Sequence, residues 1–196
     1  AVAAFPQSEY LQAARDVAAI RTASVADRVE RLLERAESAE GEARARCLWH
    51  AAQLANSSPA TEPDAQVLYS KAIAAPGSSK TRIVREALGA ALRAKQPDRI
   101  LERCGALSQC KVDPAERSSI GFTEYYVTQH GLSADEPAQV VLRDAVQNPD
   151  SREWAPGIAR AHAAWSGNEA LLAEAHEALA GVTDGESKPG HLSAAG

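Results

Sequence analysis

EPDAQVLYSKAIAAP, residues 62–76, is repeated later in the chain as EPAQVVLRDAVQNP, residues 136–149. The copies align without a gap from Ala65 and Ala138 onward, sharing an Ala-Gln-Val start, an Ala-aliphatic pair and a closing proline. They begin about 73 residues apart, which corresponds to two periods of about 36 residues. A period of that length is typical of stacked repeats. The duplication therefore predicts an array of repeated structural units.

Each unit is predicted to be a pair of helices, because apolar residues recur at helical spacing along most of the chain. We expect a helical-repeat domain over residues 8–181, a flexible lead at 1–7 and a disordered tail at 182–196. The predicted pairs are 8–21 with 24–38, 42–55 with 63–75, 80–95 with 97–109, 114–130 with 134–147, and 153–165 with 167–180.

Capping residues indicate where several of these helices begin. Ser24 with Asp27 has the spacing of a capping box, and Asp113 stands directly before a proline at the first helical position. Ser133 with Glu136 also has capping-box spacing, and the segment 166–169 is predicted to cap the last helix.

The residue pattern of the duplicated segment resembles the second helix of the tetratricopeptide repeat (TPR) family, over about residues 8–181. The resemblance implies an all-α fold, a right-handed α-solenoid of about five antiparallel helix pairs, in which the first helix of each pair lines a concave surface. The carboxylate-clamp residues of that family are not recognisable here, so binding of a chaperone's acidic tail is not implied. The matching positions are Ala65, Tyr69, Ala72 and Ile73 in one copy, and Ala138, Leu142, Ala145 and Val146 in the other.

The composition bears on which partners the protein can bind and in which compartment it functions. The net charge of -5 argues against a nucleic-acid surface, and no apolar run has the length of about 20 residues that a membrane span needs. The chain contains no Met, so the sequence is expected to be either a processed product or a trimmed piece; if Ala1 is a processed N-terminus, export or organelle import of a soluble protein stays open. Cys47, Cys104 and Cys110 are predicted to be small buried residues rather than a disulfide framework.

No pattern of catalytic or metal-binding residues stands out in the chain. The five histidines lack the spacing of a zinc site, and no nucleophile elbow or phosphate-binding loop is present. We therefore predict no catalytic residue, no metal and no cofactor. One alternative stays open: His162 and His176 lie on the two helices of one predicted pair, where they would serve a helical-bundle enzyme or a small-ligand site.

Two groups of side chains are predicted to contact a partner. Arg82, Arg85 and Arg93 lie within about 80° of one another on a helical wheel and would meet an acidic peptide. The second group is Phe122, Tyr125 and Tyr126; the adjacent tyrosines point about 100° apart, so at most one of them belongs to the core and the other is a candidate contact. The stripe of Trp154, Ile158, Ala161 and Trp165 is predicted to be core or a seal over the last repeat.

The sequence thus favours a non-enzymatic helical-repeat module for protein–protein interaction. Its partner is expected to be a protein or peptide, and the chain would serve as a scaffold or as an assembly subunit of a larger complex.

Overall fold

A computed structural model of the chain describes residues 23–77 and 79–182 and is all-helical over that part. The helices follow one another along the chain with short connections and pack in consecutive pairs. They are α1 (Val25–Glu37), α2 (Gly41–Ala55), α3 (Glu62–Ala74), α4 (Lys80–Arg93), α5 (Pro97–Ser108), α6 (Pro114–Tyr126), α7 (Asp135–Gln147), α8 (Ala155–Ser166) and α9 (Glu169–Val182), with a π-helical turn at Val127–Gly131 and a 3₁₀ turn at Pro149–Ser151.

The described part of the chain divides into two compact units, with the boundary between Ala90 and Ala91. In the first unit, α2 packs against both α1 and α3, and Ile83 and Ala87 of α4 belong to the same core. Small residues allow the helices to approach closely. Ala51, Ala52, Ala55 and Ala72 are completely buried.

In the second unit, each helix from α5 to α9 packs against the next, and α9 also contacts α7. The contact between α7 and α9 joins helices two apart in sequence, as stacking of helix pairs requires. A core of small residues around one aromatic and two leucines holds α7, α8 and α9 together. It consists of Tyr125, Ala138, Leu142, Ala159, Ala163, Leu171 and Ala175.

The two copies of the duplicated segment have matching environments. Ala65 and Ala138 are both buried, and so are Tyr69 and Leu142 four residues later. The next-but-one position after the alanine is the opposite case in both copies, because Val67 is 48% and Val140 57% exposed. The repeated sequence therefore corresponds to a repeated burial pattern on α3 and α7.

A glutamine at the same position of each copy also reaches the following helix pair. Gln66 donates from Nε2 to the backbone carbonyl of Ala87 on α4, at 3.2 Å. Gln139 accepts through Oε1 from Asn168 Nδ2, at 2.7 Å, just before α9. The prediction of an all-α fold in consecutive helix pairs is confirmed.

Most of the predicted caps are confirmed, and one is wrong. Ser24 Oγ accepts from the Asp27 N–H at 3.1 Å while Asp27 accepts from the Ser24 N–H at 3.0 Å. Asp113 accepts from the Glu116 N–H at 2.8 Å. The predicted box at Ser133 does not form, because that residue adopts a left-handed φ of 52° and α7 begins after Ala134 without a side-chain cap.

The predicted stripe along α8 is also only partly correct. Trp154 and Ile158 pack against the core, whereas Ala161 is exposed and Trp165 is 73% exposed. The side chains that α8 buries are instead those of Ala155, Pro156, Ala159, His162 and Ala163. The inward face of α8 is therefore rotated from the one that its tryptophans suggested.

Several predictions lie outside the described residues: the lead at 1–7, the helix at 8–21, and the tail from residue 183 onward. The cysteines are free thiols, with Cys104 buried and Cys47 and Cys110 partly buried. Among the described helices, none combines the length and the hydropathy of a bilayer-crossing segment.

Candidate functional site

The second unit has an open apolar groove of about 390 Å³ lined by the end of α4, the start of α5, α6 and the π-helical turn. We call it the aromatic groove. Its lining is mostly aliphatic and aromatic, and Lys95 is the only lysine, arginine or carboxylate among the described residues that line it. The lining residues are Leu92, Lys95, Pro97, Ile100, Phe122, Thr123, Tyr126, Val127, His130 and Gly131.

One wall of this groove is a row of three rings, which we call the aromatic ladder. Phe122, Tyr126 and His130 occur at every fourth residue and therefore follow one face of the helix. The centroids of the first two rings are 6.3 Å apart, and those of Tyr126 and His130 are 4.8 Å apart. Phe122 is 41% and Tyr126 55% exposed, so the ladder faces solvent.

Trp154 supports the ladder from its inner end. Its ring meets Phe122 edge to face, with centroids 5.4 Å apart. Its Nε1–H donates to Ser118 Oγ at 3.1 Å, which fixes the indole against α6. Phe122 is thus held by a partner that is itself hydrogen-bonded, and the ladder is a preformed surface.

The π-helical turn brings His130 to the groove. Leu132 N–H donates to the Val127 carbonyl at 3.0 Å, which is the hydrogen bond of a π turn. A Cβ on Gly131 would lie 3.3 Å from Pro97 Cβ and 3.3 Å from Val127 Cγ1, so glycine allows the turn to approach α5 closely. Such turns occur often at functional sites.

Lys95 stands at the edge of the groove in a strained backbone conformation. Helix α4 ends in a Schellman motif, in which Gln96 N–H donates to Ala91 at 3.1 Å and Lys95 N–H donates to Leu92 at 3.2 Å. The left-handed residue of this motif is usually glycine, but here it is Lys95, with φ 53°. Its side chain is exposed and forms no ion pair with any residue in the described ranges.

Of the two tyrosines predicted to contact a partner, one is buried and the other is exposed. Tyr125 is only 8% exposed, and burial together with the negative charge of Asp135 raises its pKa. Tyr126, by contrast, lies in the aromatic ladder. Of the two predicted contacts, Tyr125 therefore lies in the core and Tyr126 lies at the surface.

The three predicted arginines are all exposed on α4. Arg82 is occupied within the first unit: its guanidinium lies 4.6 Å from the centroid of the Trp49 ring, and its Nε is 3.7 Å from Glu86. Glu86 also accepts from Trp49 Nε1 at 2.6 Å and from Gln53 Nε2 at 2.7 Å. Arg82 thus has a structural role beside any contact with a partner.

The first unit has a groove of about 460 Å³ between α1, α2 and α3. Its floor is aliphatic, as at Leu33 and Leu48, and its rim carries charges of both signs from Glu37, Arg44 and Lys71. It has no aromatic lining residue within the described part of the chain and no net charge pattern that selects one ligand class. It is a weaker candidate site than the aromatic groove.

Of the two histidines in the alternative enzyme or ligand site, His162 is buried in the protein interior. His162 is 6% exposed, and its ring packs edge to face against Tyr125, at 6.2 Å, and Trp165, at 6.1 Å. Its Nε2 has no hydrogen-bond partner within the described residues. His176 lies on α9 and forms contacts of its own. No group of histidine, cysteine and carboxylate side chains that could hold a metal ion occurs in residues 23–77 and 79–182.

A smaller polar cavity of about 240 Å³ lies against α6 and α7, lined in part by Glu124, Asp144 and Arg117. Burial raises the pKa of the Glu124 carboxyl. Burial, with the nearby charge of Glu124, also raises the pKa of the Cys104 thiol to about 12. Because Cys104 keeps its proton and is inaccessible, it is unsuited to act as a nucleophile.

Sequence reasoning found one ring of the aromatic groove as a candidate contact but not the groove itself. Phe122 and Tyr126 were noted for their residue type, whereas the position of His130 four residues further on was the missed signal. Lys95 and Pro97 could not be found in this way, because they reach the groove through the turn between two helices. Comparison of the chain with protein-family models, curated protein sequences and solved structures finds no match.

Proposed function

We propose that this protein is a non-enzymatic interaction module, built on a TPR-like helical repeat, that binds a protein partner through its aromatic groove. The carrying observation is the aromatic ladder, in which Phe122 and Tyr126 stay about half exposed beside an open apolar groove. Aromatic residues are enriched among the side chains that dominate binding energy at protein interfaces.

The energy of the ladder supports this role. Burying a large apolar side chain contributes about 1.5–3 kcal/mol, and the folded chain leaves much of that contribution unused at two adjacent rings. A partner that covers Phe122 and Tyr126 would gain it without rearranging the rings, since Trp154 already holds Phe122 in place. Preorganisation of this kind lowers the entropic cost of binding.

The repeat architecture gives the groove a rigid base. The matching burial of the copies on α3 and α7 supports a TPR-like array, in which neighbouring helix pairs share a continuous core. In the second unit, α5 and α6 then present the groove from packed helices rather than from a long loop.

Site-specific photo-crosslinking tests the proposal. A benzophenone amino acid replaces Tyr126 in the full chain, which is then expressed in its native cells and irradiated. We expect one discrete protein adduct, identified by mass spectrometry. The matched control carries the same amino acid at Trp165, an exposed aromatic position on α8 outside the groove. An absence of adduct at position 126, or adducts from position 165 alone, would overturn the proposed function.

A further inference from the structure

We infer that the aromatic groove binds an extended, proline-containing peptide with an acidic residue beside Lys95. The inference rests on the proposed function, because it names the partner chemistry of the same groove. Three properties of the groove support this ligand: the spacing of its rings, the polar atoms of those rings, and its charge.

The groove of about 390 Å³ is open to solvent, so an extended segment can lie along its apolar floor around Ile100 and Val127.

The rings of the ladder are spaced on the scale of one turn of polyproline II. The centroid separations along the ladder are 6.3 Å and 4.8 Å, so its end rings are at most about 11 Å apart. Two prolines three residues apart in polyproline II lie about 9 Å apart, which is within that limit. We therefore place the two prolines of a Pro-x-x-Pro segment on the rings of the ladder. Aromatic-lined grooves are the usual receptors of such segments.

The polar atoms of the ladder suit the same ligand. A polyproline II backbone has no internal hydrogen bonds, so its carbonyl groups need donors when they are covered. The Tyr126 hydroxyl and the His130 imidazole each carry a donor at the exposed face. Neither side chain has a hydrogen-bond partner among the described residues, so both are free to donate to the peptide.

The positive charge of Lys95 favours an acidic residue in the bound peptide. Lys95 is the one fixed charge of the described groove lining, and no described carboxylate neutralises it. A glutamate or aspartate at one end of the bound peptide would pair with its ammonium group. Lys95→Gly removes the charge at a position whose left-handed backbone favours glycine, so we expect the variant to keep its fold.

Calorimetric titration with synthetic peptides tests the inference on the full chain. The probes are capped Pro-x-x-Pro peptides with a glutamate at either end, the same peptides with glutamine for glutamate, a version with alanine for every proline, and an amphipathic helical peptide. We expect one glutamate peptide to bind. Tyr126→Ala should weaken it about tenfold or more, and Trp165→Ala should leave its affinity unchanged.

Lys95→Gly should weaken the glutamate peptide about threefold to fivefold and leave the glutamine peptide unaffected. Equal loss for both peptides would overturn the charge pairing. Equal binding of the alanine version, preferential binding of the helical peptide, or no binding of any proline peptide would overturn the inference. If any of these results is found together with a discrete crosslink at position 126, the proposed function stands and only the inference is wrong. If the crosslink is absent as well, both the proposed function and the inference are wrong.

Discussion

The duplicated segment predicts that equivalent positions on α3 and α7 respond alike to truncation. Tyr69 and Leu142 occupy the same position of the two copies and are 2% and 0% exposed. Val67 and Val140, two residues earlier, are 48% and 57% exposed. We expect Tyr69→Ala and Leu142→Ala to be strongly destabilising, while Val67→Ala and Val140→Ala on the same helices are not.

The magnitude follows from what each side chain contacts. Leu142 belongs to a buried cluster made mostly of alanines, whose side chains cannot fill the space left behind, so its truncation should cost about 3–5 kcal/mol. An aromatic truncation in the core costs about 3–5 kcal/mol as well, which applies to Tyr69. The exposed valines should each change stability by less than about 0.5 kcal/mol.

Urea denaturation followed by circular dichroism measures these differences. With a slope of about 1–3 kcal/mol per M, the core variants should shift the midpoint by about 1 M or more, and the surface variants should barely move it. Similar losses for Val140→Ala and Leu142→Ala would refute the inward face assigned to α7. A strong effect in one copy and none in the other would refute the equivalence of the two segments.

Three further predictions concern single side chains in the second unit. Because burial raises the Glu124 pKa, the protonated carboxyl contributes stability that is present below pH 4.5 and is lost as the pH rises through the folded-state pKa. Glu124→Gln should therefore gain stability relative to the wild type as the pH rises. A difference in unfolding free energy that does not change with pH would contradict this. Cys104 should resist alkylation at pH 8 until the chain unfolds, whereas Cys47 reacts in the folded state, and equal labelling rates by mass spectrometry would show Cys104 to be accessible. Asp113→Ala should cost about 1 kcal/mol through loss of the α6 cap, with Asp113→Asn as a control that keeps it, and equal melting temperatures for all three proteins would exclude the capping role.

The helices of the described region could be predicted closely from the sequence because local signals mark their ends. Prolines at the first helical positions of α5 and α6, and the caps at Ser24 and Asp113, fix boundaries without reference to the rest of the fold. The closing proline of each repeated copy acts in the same way. Because these signals act within one helical turn, they can be recognised from the sequence alone.

Features that depend on contacts distant in sequence could not be predicted in this way. The π-helical turn after Tyr126 depends on the close approach of Gly131 to Pro97, more than thirty residues earlier. The exposure of Trp165 depends on which face α8 turns toward α7 and α9. A capping pattern at Ser133 was overridden by the left-handed backbone that follows the π turn.

The candidate site was only partly visible in the sequence for the same reason. Tyr126 could be singled out because adjacent tyrosines on a helix cannot both face the core. The groove beside it is assembled from two helices and two turns, and its charge comes from Lys95 at the end of a third helix. Local pattern identified one ring, and tertiary packing supplied the concave surface.

The placement of the tryptophans gives the protein a pair of built-in optical reporters. The chain has three, and the indole of Trp165, at 73% exposure, should emit at the long wavelength of a fully hydrated ring. Trp49 and Trp154 are shielded and hydrogen-bonded, one in each compact unit. Replacing Trp165 with phenylalanine would remove the hydrated background and leave one fluorophore per unit, so that the emission of each can be followed separately after selective removal of the other.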